Sequence, residues 1–408
     1  MPTLLLRDIA VLHQVRDEVQ PLRGNRLAEL PSLEHAWLLL QDDRIADYGL
    51  MDSCPDRADD VIDASGRHVL PAWCDSHSHI VYHSSREQEF VDRIHGLSYE
   101  EIAARGGGIL QSAQRLRQVS EDQLYEESLP RVEEVIRQGT GALEIKSGYG
   151  LDVESELKML RVIQRIKETS PLLIKSTFLG AHAIPPEYKR DRQGYIDLIC
   201  DEMIPRVADE GLADYCDVFC EQGYFTVEEG RRVLMAGLAR GLRPKVHANE
   251  LYRSGGVQLG IEVNALSVDH LECLGDEELR LLGESPISST LLPATAFFLG
   301  LEYAPARALI EHNALVTLAS DYNPGTTPSG NMPLVLSLAC IKMKMTPEEA
   351  VNSATINGAF AMDSLHEVGS ITRGYVANVL VTEKIPSLAF LPYSFGSDLI
   401  YRTILRGK

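Results

Sequence analysis

The stretch P-A-W-C-D-S-H-S-H-I, Pro71 to Ile80, sets Asp75, His77 and His79 at every second position behind an apolar run. In a β-strand alternate residues project from one face, so these three side chains share a direction. If that face is buried they need a partner, because desolvating polar groups without one is costly. Half of a metal site meets that need. The plain alternative is a solvated strand end carrying two unrelated histidines.

The rest of the chain weighs against that alternative. His182, His247 and His270 close other apolar runs in the same way, and Asp321 closes the last of them. Imidazole nitrogen and carboxylate oxygen suit Zn²⁺ or Fe²⁺/³⁺, and three or four such ligands with an open position make a hydrolytic site. His77, His79, His247 and Asp321 are the expected ligands of one zinc or iron ion per chain. Asp321 is also the candidate to hold a proton as water attacks, which leaves His270 to polarise a carbonyl or move a proton. Cys216 and Cys220 are a rival soft-ligand pair, but their spacing on one face of a buried strand reads as core. Lys146, as a modified bridging ligand, and Glu221 are the candidates for a second metal; a structural ion pair is the simpler reading of Lys146.

These residues meet only if the elements bearing them converge. Eight strand-like runs begin near Val69, Gly141, Leu172, Tyr215, Pro244, Ala265, Ile287 and Ala314, with helical segments between most of them. That alternation predicts an α/β fold, a (β/α)₈ TIM-like barrel, whose C-terminal strand ends share one mouth. Two helices are clear. Leu157, Leu160, Ile163 and Ile166 form one stripe behind an Asp152 N-cap. S-E-D-Q at Ser120 opens another, expected to bend at Pro130 and stop at Gly139. Residues 3–64 read as short strands, with a hairpin from Trp37 to Gly49 turning at Asp42-Asp43. After Gly369 short strands return, in G-S-I, Y-V-A-N-V-L-V-T and L-I-Y-R-T-I-L-R-G. The expected organisation is a barrel over 69–369 and a small β-rich domain built from both termini, 1–68 and 370–408.

Composition narrows the partners. A net charge of −20 over 408 residues opposes nucleic acid or an anionic membrane surface as partner. No apolar run reaches the ~20 residues that span a bilayer, and M-P-T-L-L-L-R-D is not a signal-peptide pattern. Seven cysteines without a C-x-x-C pair, most of them in or beside apolar segments, fit a reducing, cytoplasmic setting.

D-S-H-S-H, H-A-N-E, V-D-H-L and A-S-D, each at a strand end, resemble the amidohydrolase superfamily of metal-dependent hydrolases. S-A-T-I-N-G-A-F-A-M and G-S-I-T-R-G-Y-V-A-N-V-L-V near the C-terminus extend the resemblance to essentially the whole chain. S-R-E-Q-E-F at Ser85, E-I-K-S-G-Y-G-L at Glu144, L-G-A-H-A-I-P-P-E-Y at Leu179 and S-D-Y-N-P-G-T at Ser320 are its more specific parts. They resemble the branch that opens the ring of 4-imidazolone-5-propanoate to N-formimidoyl-L-glutamate in histidine degradation. The resemblance implies the same four metal ligands and substrate contacts at Arg86, Tyr149, His182, Glu250, Asn323, Gly325 and Thr326. Arg86 suits the propionate, Tyr149 the ring, and Glu250 a ring N–H or the attacking water. Whether Glu250 or His270 passes the key proton stays open. The family also implies a homodimer. Ala72, Ser78, Asn249 and Asn378 stand where glycine, threonine, aspartate and aspartate are more usual. Another cyclic-amide hydrolase or an aryl or purine deaminase is the alternative activity, and a metal-free scaffold the remote one.

Overall fold

The computed structural model describes residues 2–97, 101 and 107–408. Eight strands, β6 (Trp73–Asp75), β7 (Thr140–Lys146), β8 (Leu173–Ala181), β9 (Tyr215–Cys220), β10 (Arg243–Ala248), β11 (Ser267–His270), β12 (Ser288–Leu291) and β13 (Leu315–Leu318), pair in sequence order, every pair parallel. These are the eight runs expected from the sequence. The seam closes beyond the strand ends, where Ser78 bridges Tyr322, Asp321 N–H donates to His77 O at 2.9 Å and His79 N–H to Tyr322 O at 2.8 Å. Asp75 reinforces it by accepting from Ser320 N–H at 2.9 Å and Ser320 Oγ at 2.5 Å.

Period two divides the strand residues into two sets. Leu143, Ile145, Cys216, Val218, Cys220, Val246, Ala248 and Val268 belong to the main apolar core. Glu144, Lys146, Asp217, Lys245, His247 and Asp269 alternate with them and are equally buried. Cys216 and Cys220 are therefore core residues, as their spacing suggested. The flanking helices follow the sequence signals. Glu121–Arg137 is capped by Ser120, which accepts from Gln123 N–H, and runs on through Pro130. Val153–Thr169 is capped by Asp152 and buries Leu157, Leu160, Ile163 and Ile166. No helix of the described residues is long and apolar enough to cross a membrane.

Both termini build the second sheet. Its order is β15 (Ile400–Ile404), β14 (Val379–Lys384), β5 (Arg67–Pro71), β1 (Thr3–His13), β2 (Ser32–Gln41), β3 (Arg44–Leu50), with β4 (Asp60–Asp63) also on β1. Gln41 pairs with Arg44, so Asp42 and Asp43 turn the expected hairpin, Asp42 at φ +52°. Leu6, Ile9, Leu38, Leu40, Val69, Val379 and Ile404 share its core. β5 stays in this sheet to Pro71, two residues before the barrel starts. G-S-I contributes only a bridge, Ile371 to Val15. Just before β14, Asn378 ties the terminal sheet to the barrel: its Nδ2 donates to Gly141 O at 3.0 Å and its Oδ1 accepts from Arg406 N–H, beyond β15, at 2.9 Å.

Candidate active site

His77 and His79 leave β6 on the same face, and His247 comes up from β10, each no more than 3 % exposed. One nitrogen from each of the three lies within 4.8 Å of the others. His77 Nε2 and His79 Nε2 are 3.3 Å apart, and Asp321 Oδ1 is 3.5 and 3.6 Å from them. Asp321, just after β13, has φ +52°, a strained setting for a non-glycine residue, and its Oδ2 accepts from Thr295 Oγ1 at 2.6 Å.

Carboxylates stand at the outer nitrogens of His77 and His247, while His79 Nδ1 is buried with no hydrogen-bond partner. His77 Nδ1 is 2.7 Å from Asp269 Oδ2. His247 Nδ1 is 3.0 Å from Asp217 Oδ2, close enough for an ion pair though off the line of a hydrogen bond. Such partners fix the tautomer and leave Nε2 as the inward lone pair. Lys146 Nζ donates to Asp217 Oδ2 at 2.8 Å and Glu144 Oε1 at 2.6 Å, and lies 3.6 Å from Asp269 Oδ2. Lys245 contacts the other oxygen of Glu144. Lys146 is thus the ion-pair residue of the simpler reading. Glu221, the other second-metal candidate, accepts from Leu251 N–H at 2.9 Å and caps the loop after β10.

Protonation follows from this setting. Burial, with Lys146 and the neighbouring imidazoles, holds His77 well below the usual histidine pKa. Burial with His182 and His247 does the same for His79, and burial with His247 for His270. Burial alone would raise Asp217, but His247 and Lys146 outweigh it and hold the carboxyl well below its ordinary value. Imidazoles held neutral are what a cation needs, and at His77 a carboxylate also backs the ring. Three nitrogens and one oxygen converge here, and they fit Zn²⁺ or Fe²⁺ in donor type.

A cavity of ≈ 440 Å³ opens above this cluster, lined by His79, His247, His270 and Asp321 and also by Arg86, Tyr149, His182, Glu250, Asn323 and Thr326. Gly325 lies beside it, close enough to the Arg86 guanidinium that a Cβ there would collide with Nη1. Arg86 Nε and Nη2 donate to Glu89 Oε1 and Oε2 at 3.0 and 2.6 Å. His182 Nδ1 lies 3.0 Å from Gly148 O, and burial lowers the ring's pKa to about 3. Burial, then Asp321 and Glu221, push Glu250 up to about 8. Asn323 is committed within its own turn: Oδ1 accepts from Gly325 and Thr326 N–H at 2.8 Å, and Nδ2 donates to Asp321 O and Thr326 Oγ1 at 2.7 Å. Its side chain shapes the turn, an Asx arrangement.

Sequence reasoning missed Asp217, Asp269, Glu144, Lys245 and Thr295. The available signal was a charge inside an apolar run, as in Y-C-D-V-F and V-D-H. It also missed Arg93 on the cavity wall, whose Nη1 donates to Gly325 O at 3.1 Å. Two departures from the family pattern have local reasons. Asn249 sits at φ +56°, a setting asparagine tolerates, with Nδ2 donating to Cys273 O. The Ala72 methyl is accommodated because Gly141 opposite has no Cβ.

Residues 246–408 match the model of the amidohydrolase family. Over 408 residues the chain is 54% identical to the imidazolonepropionase of Christiangramia forsetii, covering 100% of this chain and 99% of that protein. It is 54% identical over 406 residues to the imidazolonepropionase of Flavobacterium johnsoniae, covering 99% of each. The solved structure of E. coli guanine deaminase shares the fold, with a TM-score of 0.74 at 16% identity over 100% of this chain and 98% of that one.

Proposed function

The chain belongs to the imidazolonepropionase family of the amidohydrolases, and from that premise we propose how its site works. It hydrolyses the ring C–N bond of 4-imidazolone-5-propanoate to give N-formimidoyl-L-glutamate, a step in histidine degradation. The family is metal-dependent; His77, His79, His247 and Asp321 would hold one zinc or iron ion per chain. When bound, such a cation lowers the pKa of water from 15.7 to about 7 and polarises a carbonyl.

The chain's own groups do the rest. Arg86 meets the propionate, a local cation in a protein of net charge −20. Tyr149 and His182 flank the ring, and the Asn323–Thr326 turn orients it beside Asp321. Glu250 reaches a ring N–H or the attacking water from the loop that Glu221 fixes. His270, held neutral by burial, offers Nε2 to the carbonyl or the leaving nitrogen. Asp321 takes the proton of the attacking water. The enzyme works in the cytoplasm, on a small carboxylate substrate, as a homodimer.

The observation that carries this reading is the joining of the His77–His79–His247–Asp321 cluster to a cavity headed by an arginine. Turnover of imidazolonepropionate against guanine by the purified, metal-analysed protein tests it. Rapid turnover of the first and none of the second is expected. Preference for guanine would make the chain a deaminase, and no bound metal with no turnover would make it a scaffold.

A further inference from the structure

V-D-H-L-E places one more acid, Glu272, two residues beyond His270, and the catalytic reading above leaves it without a role. Its side chain is 3 % exposed, buried with no described salt-bridging lysine or arginine. Glu272 Oε2 and His270 Nδ1 are both buried without a hydrogen-bond partner, and they lie 3.8 Å apart. On the other side of the ring, His270 Nε2 is 3.8 Å from Glu250 Oε2 at the cavity.

The backbone accounts for this placement. His270 and Leu271 have φ of +85° and +71°, two successive non-glycine residues in the left-handed region. Such strain persists only where the surroundings impose it. Here Leu271 N–H donates to Ala248 O at 3.1 Å and Cys273 N–H to Asn249 O at 2.8 Å. Both neighbours of Glu272 are thus pinned to the end of β10. The chain doubles back, and the carboxyl faces the ring it follows.

We propose that Glu272 is the positioning residue of His270, its carboxyl closing onto Nδ1 in the substrate complex so that Nε2 is held toward the reacting group. Catalytic hydrogen bonds are often long in the free protein and tighten when substrate binds, and 3.8 Å is within the reach of one small side-chain rotation. A carboxyl on the outer nitrogen of an imidazole sets both its tautomer and its orientation. The inference rests on His270 acting in the reaction.

The test uses the metal-loaded enzyme with Glu272→Ala, Glu272→Gln, His270→Ala and the double variant Glu272→Ala/His270→Ala. For Glu272→Ala we expect kcat to fall about 10- to 100-fold, with KM and metal content nearly unchanged. Glu272→Gln, which keeps a polar group at Nδ1, recovers much of that loss. The double variant is no slower than His270→Ala alone. In ¹⁵N-histidine-labelled protein, Glu272→Ala shifts the His270 ring resonances, and Glu272→Gln does so less. Unchanged kcat in a folded Glu272→Ala, or losses that multiply in the double variant, overturns the proposal. If the alanine variant does not fold, Glu272→Met, of similar size but with no hydrogen-bonding carboxyl at Nδ1, overturns it as well by showing unshifted resonances and wild-type kcat. Full activity in His270→Ala removes the role of His270 and this proposal with it, whereas a slow His270→Ala beside a fast Glu272→Ala removes Glu272 alone.

Discussion

Replacing Arg86 by alanine separates recognition of the propionate from the chemistry. The side chain is 9 % exposed, and two of its guanidinium nitrogens donate to Glu89. Losing a charge-assisted hydrogen bond to the substrate costs about 1.5–3 kcal/mol, or roughly 10- to 150-fold in binding. The truncation has a second effect. Glu89 would lose both bonds from Arg86, keep its bond from Gly108 N–H at 2.8 Å and the charge of nearby Arg93, and remain a less compensated carboxylate near the anionic substrate. KM should therefore rise by at least about tenfold, toward the upper part of that range. The assay compares KM for imidazolonepropionate with KM for an analogue whose carboxylate is a neutral amide. Wild type should strongly prefer the carboxylate, and Arg86→Ala should barely distinguish the two, at unchanged metal content. Arg86→Lys should recover part of the loss, because an ammonium lacks the guanidinium fork. If Arg86→Ala retains the wild-type preference, the propionate is read elsewhere and Arg93 becomes the candidate.

Asp321→Ala and His247→Ala should each largely abolish both turnover and bound metal, measured by elemental analysis of the purified variants; full activity in either excludes that residue from the ligand set. Treatment with a chelator should lower the melting temperature of the wild type, and adding back Zn²⁺ or Fe²⁺ should restore it, since a cation bound only by the native state stabilises that state. Lys146→Met strands Glu144, Asp217 and Asp269 without their shared cation and should cost about 3–5 kcal/mol in urea unfolding; a loss below 1 kcal/mol would show that the lysine is not essential to the cluster. In the terminal sheet, burial and then the neighbouring His68 lower the pKa of His13 to about 3, so the native state binds fewer protons than the unfolded chain below pH 6.5. Its contribution is complete above that pH and shrinks as pH falls, by about 2 kcal/mol at pH 5, so melting should be markedly lower at pH 5 than at pH 7.5 and His13→Gln should flatten the difference.

The eight barrel strands were legible because each is a short apolar run ending in a polar residue, and the cluster of His77, His79, His247 and Asp321 was legible because these residues follow the strand ends. The interior network was not. Asp217 touches Lys146 across 71 residues and Asp269 touches His77 across 192, so partners become visible only once the barrel closes. The Asp75 contact with Ser320 spans 245 residues and was hidden for the same reason. The Arg86–Glu89 pair lay in plain view in S-R-E-Q-E, three residues apart on a helix face. Its guanidinium therefore lines the cavity while already holding an internal partner.

The network and the proposed ligand set are better understood as one electrostatic unit than as a site resting on a scaffold. Glu144, Asp217 and Asp269 face Lys146 and Lys245 inside the barrel, all fully buried. Three carboxylates against two ammonium groups leave one negative charge, and Asp321 adds a second. A divalent cation held by the proposed ligands would balance both, so the residues that position those ligands would also set the charge the centre selects. The same balance bears on the acids above it. Burial pushes Glu250 up to about 8 and Glu272 well above the carboxylate range, so neither adds a third negative charge at neutral pH. A barrel interior that buries this many ionisable groups remains stable because its central carboxylates face the Lys146 and Lys245 ammonium groups.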